Sequence, residues 1–235
     1  MMNVFICACL VAMFRIKVCG VTRVEDARAA TEAGADAIGL NFYPRSKRRV
    51  PTDRVAAVSE AIGPGVSRVG VFVNASHDEI ADATRVARLD AVQLHGDETP
   101  AFAAEIDASV RLIRAHRCDE AGLRPLTEWL RECERLGRRV DAVLVDAPGQ
   151  DGVYGGTGER ADWRLVARER ELLGETPLVL AGGLTPENIA AAIDAVRPAG
   201  VDTASGVERD PGVKSRELML SFAKAAISAF SDSER

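Results

Sequence analysis

Two residues of this sequence could give or take a proton, and each stands at or near the end of a short apolar run. Cys19 ends RIKVC, and Asp146 comes one residue before the end of VDAVLVDA. A carboxylate at the tip of an apolar strand is partly desolvated, which raises its pKa and lets it hold a proton near neutrality. A thiol there is either a small buried hydrophobic group or a thiolate stabilised by a helix N-terminus or a cation. For Asp146 the structural alternatives are a helix N-cap and an ion-pair partner. An acid and a base on either side of a ligand would suit an isomerisation by proton transfer.

Glycine-rich loops follow the last two apolar runs. LAGGLTPEN contains Gly182 and Gly183 and predicts a helix that starts at Pro186, and TASGVERDPG contains Ser205 and Gly206. Glycine lets the backbone approach an anion closely, and a helix N-terminus directs N–H groups towards it. Tight turns that need positive φ explain the same glycines without a ligand. Because both loops occur together after the last runs, the pattern favours a phosphate site.

Three further segments allow two interpretations each. YGGTGERADW either closes over a ligand or forms a surface loop, and without a G-K-[ST] ending it does not indicate ATP. YPRSKRRV places Arg48 in a basic loop that is either solvated or holds a carboxylate by a bidentate pair. His95, in VQLHGDE, is either a hydrogen-bonding group at the site or a structural histidine, and His77 and His116 are expected at the surface.

Eight apolar runs, each followed by an amphipathic segment, must position these residues. The runs are continuous rather than alternating, which is typical of parallel strands covered on both faces. They are RIKVC, DAIGLNF, RVGVFV, DAVQLHG, VRLIRAH, VDAVLVDA, PLVLAGG and GVDTASG. This count and the absence of a G-x-G-x-x-G turn after the first run favour a single-domain (β/α)8 TIM barrel of parallel strands with outer helices over a doubly wound sheet. Barrel active sites form where the strands end, which is where the residues above are found.

The composition of the chain limits the classes of molecule that it is expected to bind. The chain has 235 residues and a net charge of -5, which argues against nucleic acid. Five cysteines, an odd number, favour a reducing cytoplasm, and Cys7 and Cys9 lack a second pair at zinc-ligand spacing, so no metal is predicted. The apolar start is too short to span a membrane. We therefore treat residues 1–13 as an N-terminal extension, with a mis-assigned start as the alternative, and residues 14–235 as the barrel.

Taken together, eight motifs closely resemble the phosphoribosylanthranilate isomerase family of tryptophan biosynthesis. They are RIKVCGVT, GADAIGLNFYPRSKRRV, RVGVFVN, AVQLHGDE, LVDA, YGGTGERADW, LAGGLTPENI and VDTASGVERDPGVK, and they run in the family's order from Arg15 to Lys214. The resemblance implies an Amadori rearrangement of a phosphoribosyl aminoaldose to a 1-deoxyribulose 5-phosphate, without a cofactor. The expected partner is thus a small phosphosugar that carries an anthranilate group.

The same resemblance implies a role for each site residue. Cys19 is expected to remove the proton from ribose C2′, and Asp146 to protonate the ring oxygen. Arg48, His95 and Asp202 are expected to bind or order the substrate. The expected phosphate-binding residues are Gly156, Gly182, Gly183, Ala204, Ser205 and Gly206.

The sequence departs from the family pattern at two positions, and two other functions stay open. Asn41 stands where an apolar residue is usual, and Ala204 where serine is usual. The related isomerase of histidine biosynthesis has an aspartate at the end of strand one, where this chain has Cys19. A non-catalytic barrel that binds a phosphorylated metabolite is the alternative from another class. The chain is expected to be cytoplasmic, as a monomer or homodimer.

Overall fold

The structure is a computed structural model that describes residues 13–146 and 162–233. Eight parallel strands close into a barrel, and β1 pairs with both β2 and β8. The strands are β1 (Ile16–Cys19), β2 (Ala37–Asn41), β3 (Ser67–Phe72), β4 (Ala91–Leu94), β5 (Arg111–Arg117), β6 (Ala142–Asp146), β7 (Leu178–Leu180) and β8 (Gly200–Thr203). Closure confirms the predicted (β/α)8 barrel and excludes the doubly wound sheet, which is open at both edges.

One α-helix follows each barrel strand. They are α1 (Val24–Ala33), α2 (Val55–Glu60), α3 (His77–Ala87), α4 (Pro100–Ala104), α5 (Arg124–Arg135), α6 (Trp163–Glu169), α7 (Ile189–Val196) and α8 (Arg216–Ser233). Local sequence explains several of their ends. Pro100 opens α4 behind Thr99, whose hydroxyl accepts from the Phe102 N–H, and Gly34 ends α1 with a φ of 97°.

Two elements differ from the sequence-based prediction. Helix α7 begins at Ile189 rather than at Pro186, because the Asn188 side chain ties the preceding turn to the loop. Its Oδ1 accepts from the Thr185 N–H at 2.8 Å, and its Nδ2 donates to the Gly183 carbonyl at 2.9 Å. A short hairpin that the sequence did not predict, β9 (Glu208–Asp210) and β10 (Val213–Lys214), lies between β8 and α8.

Side-chain alternation along the strands separates two apolar regions. One cluster packs between barrel and helices and includes Ile16 and Val18 of β1. The other fills the barrel interior and consists of Phe14, Ala37, Val69, Ala91, Ile113, Ala115, Ala142, Leu144, Val179 and Ala181. On β6 the inward positions Ala142 and Leu144 lead to Asp146, since every second side chain points inward. The interior is therefore apolar towards the amino ends of the strands and polar at their carboxyl ends.

Within residues 13–146 and 162–233, none of the helices combines the length and apolar character needed to cross a bilayer.

Candidate active site

Cys19 lies at the carboxyl end of β1 in a narrow space. Its backbone pairs with Gly39 of β2, and a Cβ placed on Gly39 would lie 2.7 Å from the Cys19 Sγ. The missing side chain of Gly39 therefore makes room for the sulfur. The next residue, Gly20, has a φ of 72°, and a Cβ there would lie 2.8 Å from the Arg48 side chain. Two glycines thus let the thiol and Arg48 pack at the same end of the strand.

Charged groups near Cys19 shift the pKa of its thiol in opposite directions. Burial raises the pKa of Cys19 above its ordinary value, and the carboxylate of Asp202 raises it further. The ammonium groups of Lys17 and Lys214 act against this increase, and Lys17 acts more strongly. The thiol is a weak acid here, but it has two cations that favour its ionised form.

Lys17 and Asp202 form an ion pair in the barrel interior. Lys17 Nζ lies 3.0 Å from Asp202 Oδ1, and the Lys17 side chain is completely buried. Burial lowers the pKa of Lys17, but attraction to Asp202 and Cys19 outweighs it and the pKa is raised overall. Lys17 consequently stays charged at neutral pH. Asp202, which the sequence predicted as an ordering residue, contacts this lysine, and Asp146 and His95 also influence its pKa.

Asp146 lies beside His95 at the ends of β6 and β4. Asp146 Oδ2 is 3.5 Å from His95 Nε2, and both side chains are mostly buried. His95 Nδ1 is 3.2 Å from the amide nitrogen of Gln93, which can only donate. With Nδ1 turned towards the Gln93 amide, Nε2 is the ring nitrogen that faces Asp146. The structure places His95 against the predicted acid, and its role as a substrate ligand stays a prediction.

Arg48 is held by an acidic residue that the sequence did not suggest. Its Nε donates to Glu208 Oε1 at 2.9 Å and its Nη2 to Glu208 Oε2 at 2.8 Å, in a bidentate pair. Lys214 Nζ donates to the same carboxylate at 2.9 Å and to the Ala204 carbonyl at 2.9 Å. Glu208 and Lys214 come from the β9–β10 hairpin, which thereby fixes the orientation of Arg48. The predicted contact of Arg48 with an anthranilate group stays untested.

Asn41, one of the two departures from the family pattern, organises the loop that carries Arg48. Its Oδ1 accepts from the Tyr43 N–H at 2.8 Å, and its Nδ2 donates to the Ser46 hydroxyl at 3.2 Å. The Ser46 hydroxyl in turn accepts from the Arg48 N–H at 3.1 Å. The amide therefore has a definite function in this chain, where an apolar side chain would leave these loop groups without that partner.

The glycine-rich loops after β7 and β8 meet at the strand ends. Gly182 and Gly183 have φ angles of 86° and 62°, and their N–H groups do not take part in the backbone hydrogen bonds that join the described loops. A Cβ on Gly206 would overlap the Leu184 carbonyl oxygen, which also accepts from the Thr203 hydroxyl at 2.8 Å. These two loops are in contact, as a shared anion site requires. Gly156 lies outside the described residues.

Glu98, of the HGDE segment, anchors the neighbouring loops. Its carboxylate accepts from the N–H groups of Asn74 and Gly96 at 2.7 and 2.9 Å, and from Arg114 at 3.0 Å. Because Gly96 follows His95, these bonds also fix the end of β4.

Of the two remaining histidines, His77 lies at the surface with 37% of its side chain exposed, whereas His116 is half-buried rather than at the surface as predicted. His77 Nε2 lies 3.0 Å from the Phe102 carbonyl, and His116 Nε2 lies 2.8 Å from the Gly122 carbonyl. Burial lowers the pKa of His116. Each contact is explained by local structure.

Several residues of the site were missed by sequence reasoning. Lys17 could have been found, because it is two residues before Cys19 and strand side chains alternate, so both point to the same face. Gln93 has the same relation to His95. Glu208 and Lys214 had no such signal, since their hairpin was not predicted.

Known proteins are similar to this chain over most of its length. Residues 16–225 match the family model described as N-(5'phosphoribosyl)anthranilate (PRA) isomerase. The N-(5'-phosphoribosyl)anthranilate isomerase of Rubrobacter xylanophilus is 45% identical over 215 residues, which is 91% of this chain and 99% of the relative. The crystal structure of phosphoribosyl anthranilate isomerase from Thermotoga maritima has a TM-score of 0.77 at 39% identity, covering 92% of this chain and 100% of that one.

A further crystal structure is similar and holds a ligand. It is a phosphoribosyl anthranilate isomerase in complex with reduced 1-(o-carboxyphenylamino)-1-deoxyribulose 5-phosphate. Its TM-score is 0.74 at 37% identity, and the match covers 92% of this chain and 100% of that one.

Proposed function

Because this chain belongs to the N-(5'-phosphoribosyl)anthranilate isomerase family of tryptophan biosynthesis, we propose that it performs the family's rearrangement with Cys19 as general base and Asp146 as general acid. The substrate is N-(5-phosphoribosyl)anthranilate and the product is 1-(2-carboxyphenylamino)-1-deoxyribulose 5-phosphate. The observation that carries the proposal is the presence of a thiol and a carboxyl group at the carboxyl ends of β1 and β6 in one closed barrel.

Two proton transfers by the protein lead to an enolamine, and a third, from the C2′ hydroxyl to C1′, completes the reaction. Asp146 gives its proton to the furanose ring oxygen as the C1′–O bond breaks, and the anthranilate nitrogen supplies the electron pair that forms the C1′=N bond. The Cys19 thiolate then removes the proton from C2′, and the C2′–H electrons form the enolamine. Tautomerisation of the enolamine gives the ketone. No electrons enter or leave, so the step needs no redox cofactor.

The remaining site residues suit the two ends of this substrate. The loops at Gly182–Gly183 and at Ser205–Gly206 offer backbone N–H groups to the phosphate. Arg48 has Nε and Nη2 on Glu208, so Nη1 is the donor that faces the anthranilate carboxylate in our proposal. The ligand of the related complex contains both a phosphate and a carboxyphenylamino group.

Catalytic turnover separates this function from its alternatives. The assay follows the loss of anthranilate fluorescence when the purified chain meets phosphoribosylanthranilate. We expect Cys19→Ala and Asp146→Asn each to reduce kcat by at least about a hundredfold, the usual contribution of a general acid or base. Cys118→Ala, which alters a buried cysteine at the end of β5, serves as the matched control and should retain activity. Near-normal turnover by Cys19→Ala or Asp146→Asn would refute that residue's role. Absence of turnover in the folded wild type would favour a binding barrel.

Oligomeric state and cellular location remain predictions from sequence. Sedimentation of the purified chain distinguishes the monomer from the homodimer, and fractionation of cells tests the cytoplasmic location.

A further inference from the structure

Lys17 is an unusual residue for a barrel interior. Lys17 is fully buried, at 0% exposure, where lysine is almost never found without a partner. Its partner is Asp202, at 3.0 Å. Replacing a buried ion pair by apolar groups of similar volume is often neutral or even stabilising. Stability alone therefore does not explain why this pair is kept in the barrel.

The position of Lys17 connects it to the thiol. Lys17 and Cys19 are two residues apart on β1 and share its inward face. The charge of the Lys17 ammonium favours the thiolate form of Cys19 and so acts to lower the pKa of that thiol. Asp202 holds the ammonium from the neighbouring strand, since Lys17 is in register with Asp202 in the β1–β8 pair. The ammonium is thus anchored by a carboxylate and lies on the same inward face of β1 as the Cys19 side chain.

Other groups around Cys19 act more weakly or carry no charge. From β2 the thiol faces Gly39, which has no side chain. From β10 Lys214 acts on it through charge alone, and the Lys214 ammonium is bound to Glu208. From β8 the Asp202 carboxylate disfavours the thiolate, though less than Lys17 favours it. Loss of the Lys17 charge therefore removes the strongest influence that opposes burial, and the pKa of the thiol rises further above its ordinary value.

We propose that Lys17 is a positioning residue of the reaction, whose buried ammonium, anchored by Asp202, stabilises the Cys19 thiolate and so supplies the base. This inference rests on the proposed function of Cys19. In the free enzyme the thiol proton leaves to solvent, and the ammonium compensates the charge left on sulfur. During turnover the thiolate takes the C2′ proton, while Lys17 keeps its own protons throughout.

Alkylation of Cys19 without substrate tests the proposal. Iodoacetamide reacts with the thiolate, so its rate against pH, resolved by mass spectrometry of the peptide that contains Cys19, gives the ionisation midpoint. Lys17→Gln removes the charge but keeps an N–H donor for Asp202. We expect its midpoint to rise by about one pH unit or more, so that alkylation below the midpoint slows about tenfold. Lys17→Arg keeps the charge and should restore most of the lost rate.

A matched control and a second variant make the outcome decisive. Arg138→Gln removes another buried cation, which donates to the Val110 carbonyl just before β5, at the opposite end of the barrel. Its Cys19 midpoint should equal that of the wild type. If Lys17→Gln does not fold, Lys17→Met, which fills the same length with an apolar chain, should show the same shift. An unchanged midpoint in the folded neutral variant would overturn the proposal.

Kinetics add a readout that a merely structural role would not reproduce. We expect Lys17→Gln to lower kcat in proportion to its lower thiolate fraction, with KM little changed. Because alkylation is measured without substrate, its result stands even if Cys19→Ala retains turnover. In that case Cys19 is not the general base, and the alkylation midpoints still show whether Lys17 stabilises its thiolate.

Discussion

Replacing Glu208 by glutamine should show how much a single buried carboxylate contributes to both stability and substrate binding. The Glu208 side chain is 5% exposed and binds two cations, Arg48 and Lys214, whose side chains are 15% and 0% exposed. Breaking a buried ion pair from one side costs about 3 to 5 kcal/mol, because the cation stays buried without its partner. We take about 3 kcal/mol for Glu208→Gln, since Arg48 is partly exposed and the amide oxygen can still accept one hydrogen bond.

That loss converts to a measurable shift in unfolding temperature. For a chain of this size, 1 kcal/mol corresponds to about 2 to 4 °C in Tm, so we expect a decrease of about 6 to 12 °C. Substrate binding should weaken as well. With Arg48 no longer fixed by a bidentate partner, KM should rise about tenfold, whereas kcat should change less because neither Cys19 nor Asp146 is touched. Calorimetry and steady-state kinetics measure the two effects separately.

At acid pH the free energies of unfolding of Glu208→Gln and the wild type should become more similar. Burial raises the pKa of the Glu208 carboxyl, but Arg48 and Lys214 outweigh burial and hold it below its ordinary value. A group with a lowered folded pKa contributes stability above its unfolded pKa, and that contribution is lost as the pH falls through the folded value. The wild type should therefore lose its advantage below about pH 4, the range in which an unperturbed glutamate titrates.

An exposed pair provides the control. Glu132 binds Arg135 with the same bidentate geometry, at 2.8 and 2.6 Å, but the side chains are 43% and 68% exposed. Glu132→Gln should cost only about 0 to 1 kcal/mol. If Glu208→Gln proves no more destabilising than Glu132→Gln at neutral pH, the reasoning from burial is wrong.

Two further results are expected. Burial raises the pKa values of Cys118 and Cys133 to about 11, so iodoacetamide at pH 8 should leave both unmodified in the native protein and label them after denaturation; labelling of either in the native state, seen by peptide mass spectrometry, would contradict this. Asn41→Val removes two loop hydrogen bonds worth about 1 kcal/mol each, so KM should rise about threefold to tenfold with kcat preserved; an unchanged KM would show that the loop keeps its order without the amide.

The barrel was predictable from sequence because its signal is repeated. Eight apolar runs, each followed by an amphipathic segment, leave few topologies open, and each run begins within two residues of the start of an observed strand. The ends of helices are harder to predict where a side chain forms hydrogen bonds to the backbone of the preceding turn. Asn188 binds the preceding turn and moves the start of α7 to Ile189, an effect of one side chain that periodicity does not contain.

Sequence predicts only those site residues that lie at or near the ends of strands. Cys19, Asp146 and His95 are each the last residue of an apolar run or close to it, and the barrel brings such positions together. Long-range pairs were not predictable. Arg48 and Glu208 are separated by 160 residues, and the short hairpin that joins them has no strong strand pattern.

The division of the barrel interior into an apolar end and a polar end has a consequence for protein engineering. Phe14 and the inward apolar side chains form a cluster that includes none of the groups proposed for chemistry, whereas Lys17 places a charge two residues before the thiol on the same face of β1. Substitutions in the apolar half should therefore change Tm with little effect on kcat, provided that Lys17 and its register with β8 are retained. A library built on this barrel can accordingly vary the two halves separately, with Lys17 held fixed in both.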